Sequence, residues 1–303
     1  MIVLNGLFPV FFLLVLGALL KRLRMTGDAF LKTSDRLVYF IFFPAMLFWK
    51  IGGARTDGGI DWPFCLAALT AVAIIYMGSA VYIRLAVPEF EAGSFSQSCY
   101  RFNTYIGMAI ILNALGEEGA RHFGIMVGFA IPFINVLAVS TLIWYSGERY
   151  SAAERIRMTG RALVSNPLIL ACIAGILYGR IIGTFPVFID NALRLATSVA
   201  LPLALLSIGG ALTFDTLRGH FKRSLVAAVF KLLIFPTVGY MCLKYYGVSG
   251  VPFQVGMVFF ALPTSTAIYV LSSQLNSSTD LASATIVLST GLSFISLSIV
   301  LLQ

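Results

Sequence analysis

The sequence predicts an all-α membrane protein of about ten transmembrane helices, set as two inverted five-helix repeats. Three observations predict it. Hydrophobic residues make up 59% of the 303-residue chain and charged residues only 11%, against about 25% charged in a soluble domain. The apolar residues come in long runs, and a bilayer core needs about 20 of them per helical crossing. Residues of the first half recur in order some 158 positions later in the second.

The apolar runs place spans at 2–20, 35–52, 63–85, 94–116, 123–145, 164–182, 190–212, 224–246, 252–275 and 280–302. Backbone groups in lipid must be satisfied within the segment, and the alternation of a barrel strand is absent, so the spans are helices. Ile2 to Leu20 is followed, not preceded, by Lys21, Arg22 and Arg24. A secretory signal carries its charges first, so this run is expected to be a first span with its N-terminus outside. Cys65, Cys99, Cys172 and Cys242 lie in or beside apolar runs without metal-ligand spacing and read as small core residues.

Orientation follows from Lys and Arg in alternate loops. Thirteen fall on one side, including Arg149, Arg155, Arg157 and Arg161 between spans 5 and 6, and six on the other. The richer side is expected to be cytoplasmic, with both termini outside and the chain in the cell inner membrane. The net charge of +8 is then a topology signal, and no nucleic acid partner is expected.

The repeat rests on residues that are not merely apolar. Arg36, Leu37 and Pro44 of span 2 match Arg194, Leu195 and Pro202 of span 7 at an offset of 158, while Gly52-Gly53-Ala54 matches Gly209-Gly210-Ala211 at 157. In spans 1 and 6, Gly17 matches Gly175 and Arg22 matches Arg180. Five spans per copy is odd, so the second copy is inverted, the plan of secondary transporters with a site near the midplane. The divisions expected are 1–145, a cytoplasmic loop at 146–163, and 164–303.

All 13 acidic residues fall in loops or at span ends, and His122 and His220 are loop residues. No midplane carboxylate is present to carry a proton or sodium ion, and neither a His-based catalytic site nor a metal site can be built within the membrane. An enzyme is disfavoured, and no cofactor or metal is expected. Two cations do enter spans: Arg101 in span 4 and Lys231 in span 8. A cation at the bilayer centre costs on the order of 3 kcal/mol, which usually marks function. Snorkelling toward the cytoplasmic face competes for Lys231.

Polar residues collect at the same depth. Span 4 carries Arg101-Phe102-Asn103-Thr104-Tyr105 and span 9, its repeat partner, carries Pro263-Thr264-Ser265-Thr266 with Tyr269 following. Pro263 removes a backbone donor and crowds the preceding turn, so a break is expected there. Half-helix N-termini at such breaks offer N–H groups and a positive dipole end, suited to an anion. The competing reading is that these hydroxyls bond their own helix or glue neighbours together.

At these residues the sequence resembles the auxin efflux carrier family, whose bacterial members include organic-acid transporters. The resemblance covers essentially the whole chain. It rests on the ten-span layout, on Arg101, Asn103 and Thr104 before Gly107, on Pro263 to Ala267 with Tyr269, and on the Lys231 to Pro236 spacing. It implies spans 4 and 9 crossing at their breaks around a carboxylate; the bile-acid/sodium symporters share that architecture more distantly. Gly107 stands one residue earlier than in the family pattern and Ala109 replaces its proline, which weakens the expectation of a break in span 4.

The function expected is therefore a carrier or uniporter of small organic anions. Arg101 and Lys231 attract the carboxylate, Asn103, Thr104, Thr264, Ser265 and Thr266 hydrogen-bond it, and Tyr105 and Tyr269 shape the pocket around Pro263. Asn135, beside Pro132 in span 5, is a further candidate. The partners expected are the anion and membrane lipid, with a homodimer left open. The rivals are a sodium-coupled symporter of the same fold and a non-transporting membrane receptor or scaffold.

Overall fold

A computed structural model describes residues 2–53, 60–146, 151–212 and 217–302. Arg55, Asp57, Glu148, Arg149 and Asp215 of the charge survey, and Ala54 of the glycine motif, lie outside the described residues. No strand occurs among the described residues. In chain order the helices are α1 (Ile2–Arg22), α2 (Asp28–Leu37), α3 (Phe43–Gly52), α4 (Trp62–Ala86) and α5 (Glu89–Tyr100). There follow α6 (Thr104–Tyr145), α7 (Ala152–Val164), α8 (Pro167–Ile181), α9 (Val187–Thr197) and α10 (Ala200–Ala211). The last five are α11 (Leu217–Val229), α12 (Phe235–Tyr245), α13 (Gly250–Ala261), α14 (Ala267–Gln274) and α15 (Thr279–Leu301).

Among the described residues, five helical stretches are long and apolar enough to cross a membrane: Trp62–Ala86, Glu89–Tyr145, Val187–Ala211, Leu217–Tyr245 and Thr279–Leu301. The molecule is an all-α membrane protein. The other expected spans coincide with α1, with α2–α3, and with the shorter apolar α8 and α13–α14.

Prolines set most interruptions. A proline cannot donate to the carbonyl four residues back and its ring crowds that turn. Before Pro44 the chain widens into a π turn at Val38–Phe42, and before Pro236 into another at Phe230–Ile234. Before Pro202 the helix yields to a turn at 198–199 between α9 and α10. Within α6 the interruption is a glycine: Gly116 has φ 66° and ψ −157°, a conformation that a Cβ would strain. The chain there is two helices joined at a kink, matching the expected end of span 4 and start of span 5.

The segment at 146–163, expected as a loop, is helical from Ala152. Its start is a capping box. Ser151 donates through N and Oγ to Glu154 Oε2 at 2.7 and 2.8 Å, and Glu154 N donates to Ser151 Oγ at 3.2 Å. The S-x-x-E spacing that builds this reciprocal cap is in the sequence. The two Ser151 bonds hold the Glu154 carboxyl below its usual range.

Two compact units emerge, and each draws segments from both expected halves of the sequence. The first comprises Met1–Trp62, Tyr105–Phe129 and Val164–Leu212. In it α1 packs on α10 so closely that a Cβ at Gly17 would strike the backbone carbonyl of Leu206, and one at Gly209 that of Leu14. The pair α3 and α8 is nearly as tight, with Gly175 facing Ile51 and the carbonyl of Phe48. Helices in lipid gain nothing from hiding apolar surface, so such small-residue contacts, which bring backbones together, supply the attraction.

The second unit comprises Pro63–Thr104, Ala130–Leu163 and Thr213–Gln303. Buried hydroxyls tie its helices. Ser94 Oγ lies 2.7 Å from Ser272 Oγ, 2.9 Å from Ser277 Oγ and 2.8 Å from the carbonyl of Ser278. Ser277 Oγ in turn donates to the carbonyl of Phe90 at 2.9 Å. This joins the start of α5 to the turn between α14 and α15.

Candidate functional site

The second unit contains both interruptions on which the polar segments lie. Helix α5 ends at Tyr100, residues 101–103 are non-helical, with Arg101 at ψ 141°, and helix resumes at Thr104. Span 4 is therefore broken even though Ala109 stands in place of a proline. Helix α13 ends at Ala261 and α14 begins at Ala267. Pro263 disfavours helical ψ at the residue before it, and Leu262 adopts ψ 148°.

The two breaks meet. The Asn103 N–H donates to the carbonyl of Pro263 at 2.9 Å. The Thr264 hydroxyl donates to the carbonyl of Ser98 at 3.0 Å, in the last turn of α5. The Thr264 N–H donates to Ser289 Oγ of α15 at 3.1 Å. Phe102 packs edge-on to Phe259, ring centroids 4.5 Å apart. Each break frees carbonyls that would otherwise accept from the next turn, and side chains take them up. Lys231 Nζ donates to the carbonyl of Phe260 at 3.0 Å and Ser296 Oγ to that of Ala261 at 3.0 Å.

The expected site residues sort by position. Asn103, Thr264, Lys231 and Arg101 are buried, Arg101 being 8% exposed with Nη1 3.5 Å from Gln97 Oε1. Thr104, Ser265 and Thr266 are half-buried at the resumption of helix. Ser265 Oγ accepts from the Ala267 N–H at 3.3 Å, a local cap. Pro263 is at the junction itself. Asn135 is buried in the part of α6 that belongs to this unit, and Tyr269 is 48% exposed on α14. Tyr105 belongs to the first unit, where its ring packs edge-on to Phe43 at 4.6 Å.

Donor counting sharpens the chemistry. Thr264 has one hydroxyl proton and one N–H, and both are engaged, so in this arrangement it offers an anion nothing. The groups suited to an anion are the Arg101 charge and the half-buried side chains where α6 and α14 begin. Ser98, Ser289 and Ser296, which organise the junction, were not singled out from the sequence. Ser289, Ser293 and Ser296 recur at i, i+4 and i+7, one face of a helix, which is the signal that could have found them.

The first unit holds a separate charged cleft of about 440 Å³, lined by Trp49, Lys50, Gly53, Glu117, Glu118, Arg121 and Asp190. Lys50 Nζ lies 2.6 and 2.8 Å from the two Glu117 oxygens, and Trp49 Nε1 donates to Asp190 Oδ1 at 2.7 Å. These bonds tie the end of α3 to the chain after the Gly116 kink and to the start of α9.

A family model described as membrane transport protein matches residues 2–301. The chain belongs to this membrane transport protein family. A protein of Rhizobium meliloti named "Putative malonate transporter" is 23% identical over 290 residues, covering 94% of this chain and 90% of that one. An "Uncharacterized transporter" of Methanothermobacter thermautotrophicus is 24% identical over 296 residues, covering 95% of this chain and 94% of the relative. Another of Methanocaldococcus jannaschii is 22% identical over 279 residues, 89% of each chain. These matches agree with the resemblance to auxin efflux carriers, and family and relatives alike are transporters, not enzymes.

Proposed function

We propose that this membrane transport protein is a secondary carrier of small organic anions, carboxylates above all, working by alternating access around the junction of spans 4 and 9. The observation that carries the reading is the junction: two non-helical segments joined by the Asn103–Pro263 bond, with the Arg101 guanidinium buried beside them. A guanidinium binds a carboxylate through two parallel hydrogen bonds, and the starts of α6 and α14 contribute positive dipole ends. Arg101, Asn103, Thr104, Ser265 and Thr266 contact the anion in this reading, with Tyr269 and Asn135 at the pocket margin. Thr264 and Pro263 hold the junction, and Lys231 acts from behind it. Malonate, named for one relative, is the first carboxylate to try.

The same reading makes the chain ten spans in two inverted repeats, in the cell inner membrane, with both termini outside. What supports the repeat is an exchange of partners in the first unit. Span 1 packs on span 7 through Gly17 and Gly209, and span 6 packs on span 2 through Gly175 and Gly52. A two-fold relation that swaps span 1 with 6 and 2 with 7 turns one pair into the other.

The test is calorimetric titration of malonate and other mono- and dicarboxylates into purified parent, Arg101→Lys and Arg101→Ala. Loss of a charge-assisted bond costs about 1.5–3 kcal/mol, roughly tenfold to hundredfold in Kd. Arg101→Lys should weaken binding and Arg101→Ala should weaken it further. A folded Arg101→Ala that binds as tightly as the parent removes Arg101 from the site. A parent that binds carboxylates but moves none in proteoliposomes is a receptor or scaffold.

A further inference from the structure

Lys231 is a fully buried lysine, 0% exposed. It forms no ion pair with a carboxylate among the described residues. Its Nζ is 3.0 Å from the carbonyl oxygen of Phe260 and 4.6 Å from the centroid of the Phe235 ring. Both are contacts a cation favours: a carbonyl dipole and the negative face of an aromatic ring.

The place matters as much as the contacts. Phe260 lies in the last turn of α13, whose C-terminal carbonyls form the negative end of that half-helix. In an unbroken helix the Phe260 carbonyl would accept from the N–H of residue 264, but that N–H is given to Ser289. The break at Pro263 thus leaves a partly negative, donor-deficient pole deep in the second unit. Its two last carbonyls are met by Lys231 and Ser296. Lys231 can reach it because it sits in the π turn Phe230–Ile234 that precedes Pro236. Such a turn holds an extra residue and re-aims the side chains in it.

We infer that Lys231 is a resident cation, filling at the C-terminal pole of α13 a site whose chemistry would otherwise suit a small monovalent cation, so that the carrier has no need of sodium there. The inference rests on the carrier reading for its meaning, because it assigns the coupling of that same junction. The binding claim stands without it. The site's ligand class is a monovalent cation of ammonium or alkali type, held by the Phe260 carbonyl oxygen and one aromatic face.

The experiment measures thermal melting of purified protein with no organic anion present, so the identity of the transported substrate does not enter. Parent, Lys231→Ala and Lys231→Met are melted in choline, sodium and ethylammonium chloride at equal ionic strength. The parent should melt at the same temperature in all three. Lys231→Ala, which removes the charge and leaves space, should melt below the parent in choline and rise by about 2–4 °C in saturating ethylammonium. Lys231→Met, which fills the space without charge, should not respond. Should Lys231→Ala fold only in the presence of the amine, the inference stands. Stabilisation of the parent by sodium over choline overturns it, as does a folded Lys231→Ala indifferent to both small cations, or one recovered in neither medium.

Discussion

Thr264→Val probes the junction at its most committed residue. The two side chains have nearly the same shape, so the change deletes the hydroxyl without leaving a cavity. The parent hydroxyl donates to the carbonyl of Ser98 from a fully buried position. Losing a neutral bond costs about 0.5–1.5 kcal/mol net, and a buried carbonyl left without its donor raises this toward about 1–3 kcal/mol. Side-chain bonds inside membrane proteins average nearer to about 0.6 kcal/mol, because the unfolded reference finds partners in the bilayer. Two factors favour the upper part of the combined range. The site is buried away from water, and the partner carbonyl belongs to a helix end already short of donors. A loss of about 1–2 kcal/mol should lower the melting midpoint by roughly 2–8 °C. Thr264→Ser keeps the hydroxyl and should retain most of the stability, losing only a methyl group. The assay is thermal melting in detergent of parent, Thr264→Val and Thr264→Ser, with carboxylate titration on each. If Thr264→Val melts with the parent, the hydroxyl does not hold α5 to the second break. If it melts with the parent but loses carboxylate affinity, the hydroxyl faces the ligand instead and the donor count is refuted.

Gly209→Ala should lower stability by about 1–3 kcal/mol, the cost of forcing apart a packed interface, while Gly219→Ala, whose Cβ meets open space, should not; equal melting of the two would refute the close approach of α1 and α10. The Glu154 carboxyl is held below its usual range by Ser151, so its contribution to the start of α7 is present above the unfolded pKa and fades as pH falls through the lower folded value. A spin label at the exposed Ala153 should stay ordered from neutral pH down to about pH 4 and loosen below it. Label mobility that changes between pH 6 and 8 instead would place the cap elsewhere. A single cysteine at Ser151 should resist impermeant thiol reagents in intact cells, and ready labelling there would reverse the proposed orientation. Lys50→Met should cost at most about 1 kcal/mol, because its partner Glu117 is 72% exposed and solvent screens the pair. A larger loss in melting would make the charged cleft a structural anchor.

Membrane class, helical content and the sites of interruption were legible in the residues, because each follows from covalent geometry or from the solvent. A chain with 11% charged residues cannot cover a globule in water, and lipid admits only self-satisfied backbone. Pro44, Pro202, Pro236 and Pro263 each stand beside an interruption, since a missing N–H acts wherever the proline lies. The cap of α7 was legible too, in the spacing of Ser151 and Glu154. The break of span 4 was expected from its pairing with span 9 and from the resemblance, not from a local signal. No proline enforces it, and the non-helical stretch at 101–103 is held by a bond from Asn103 to a carbonyl 160 residues away. The sequence shows that Thr264 and Lys231 are polar groups in apolar spans, but not what they bond. Thr264 gives its protons to Ser98 and Ser289, and Lys231 turns to a helix end instead of open space. A lone polar side chain in a membrane must find a partner, and which one it finds depends on distances between helices that only tertiary packing sets.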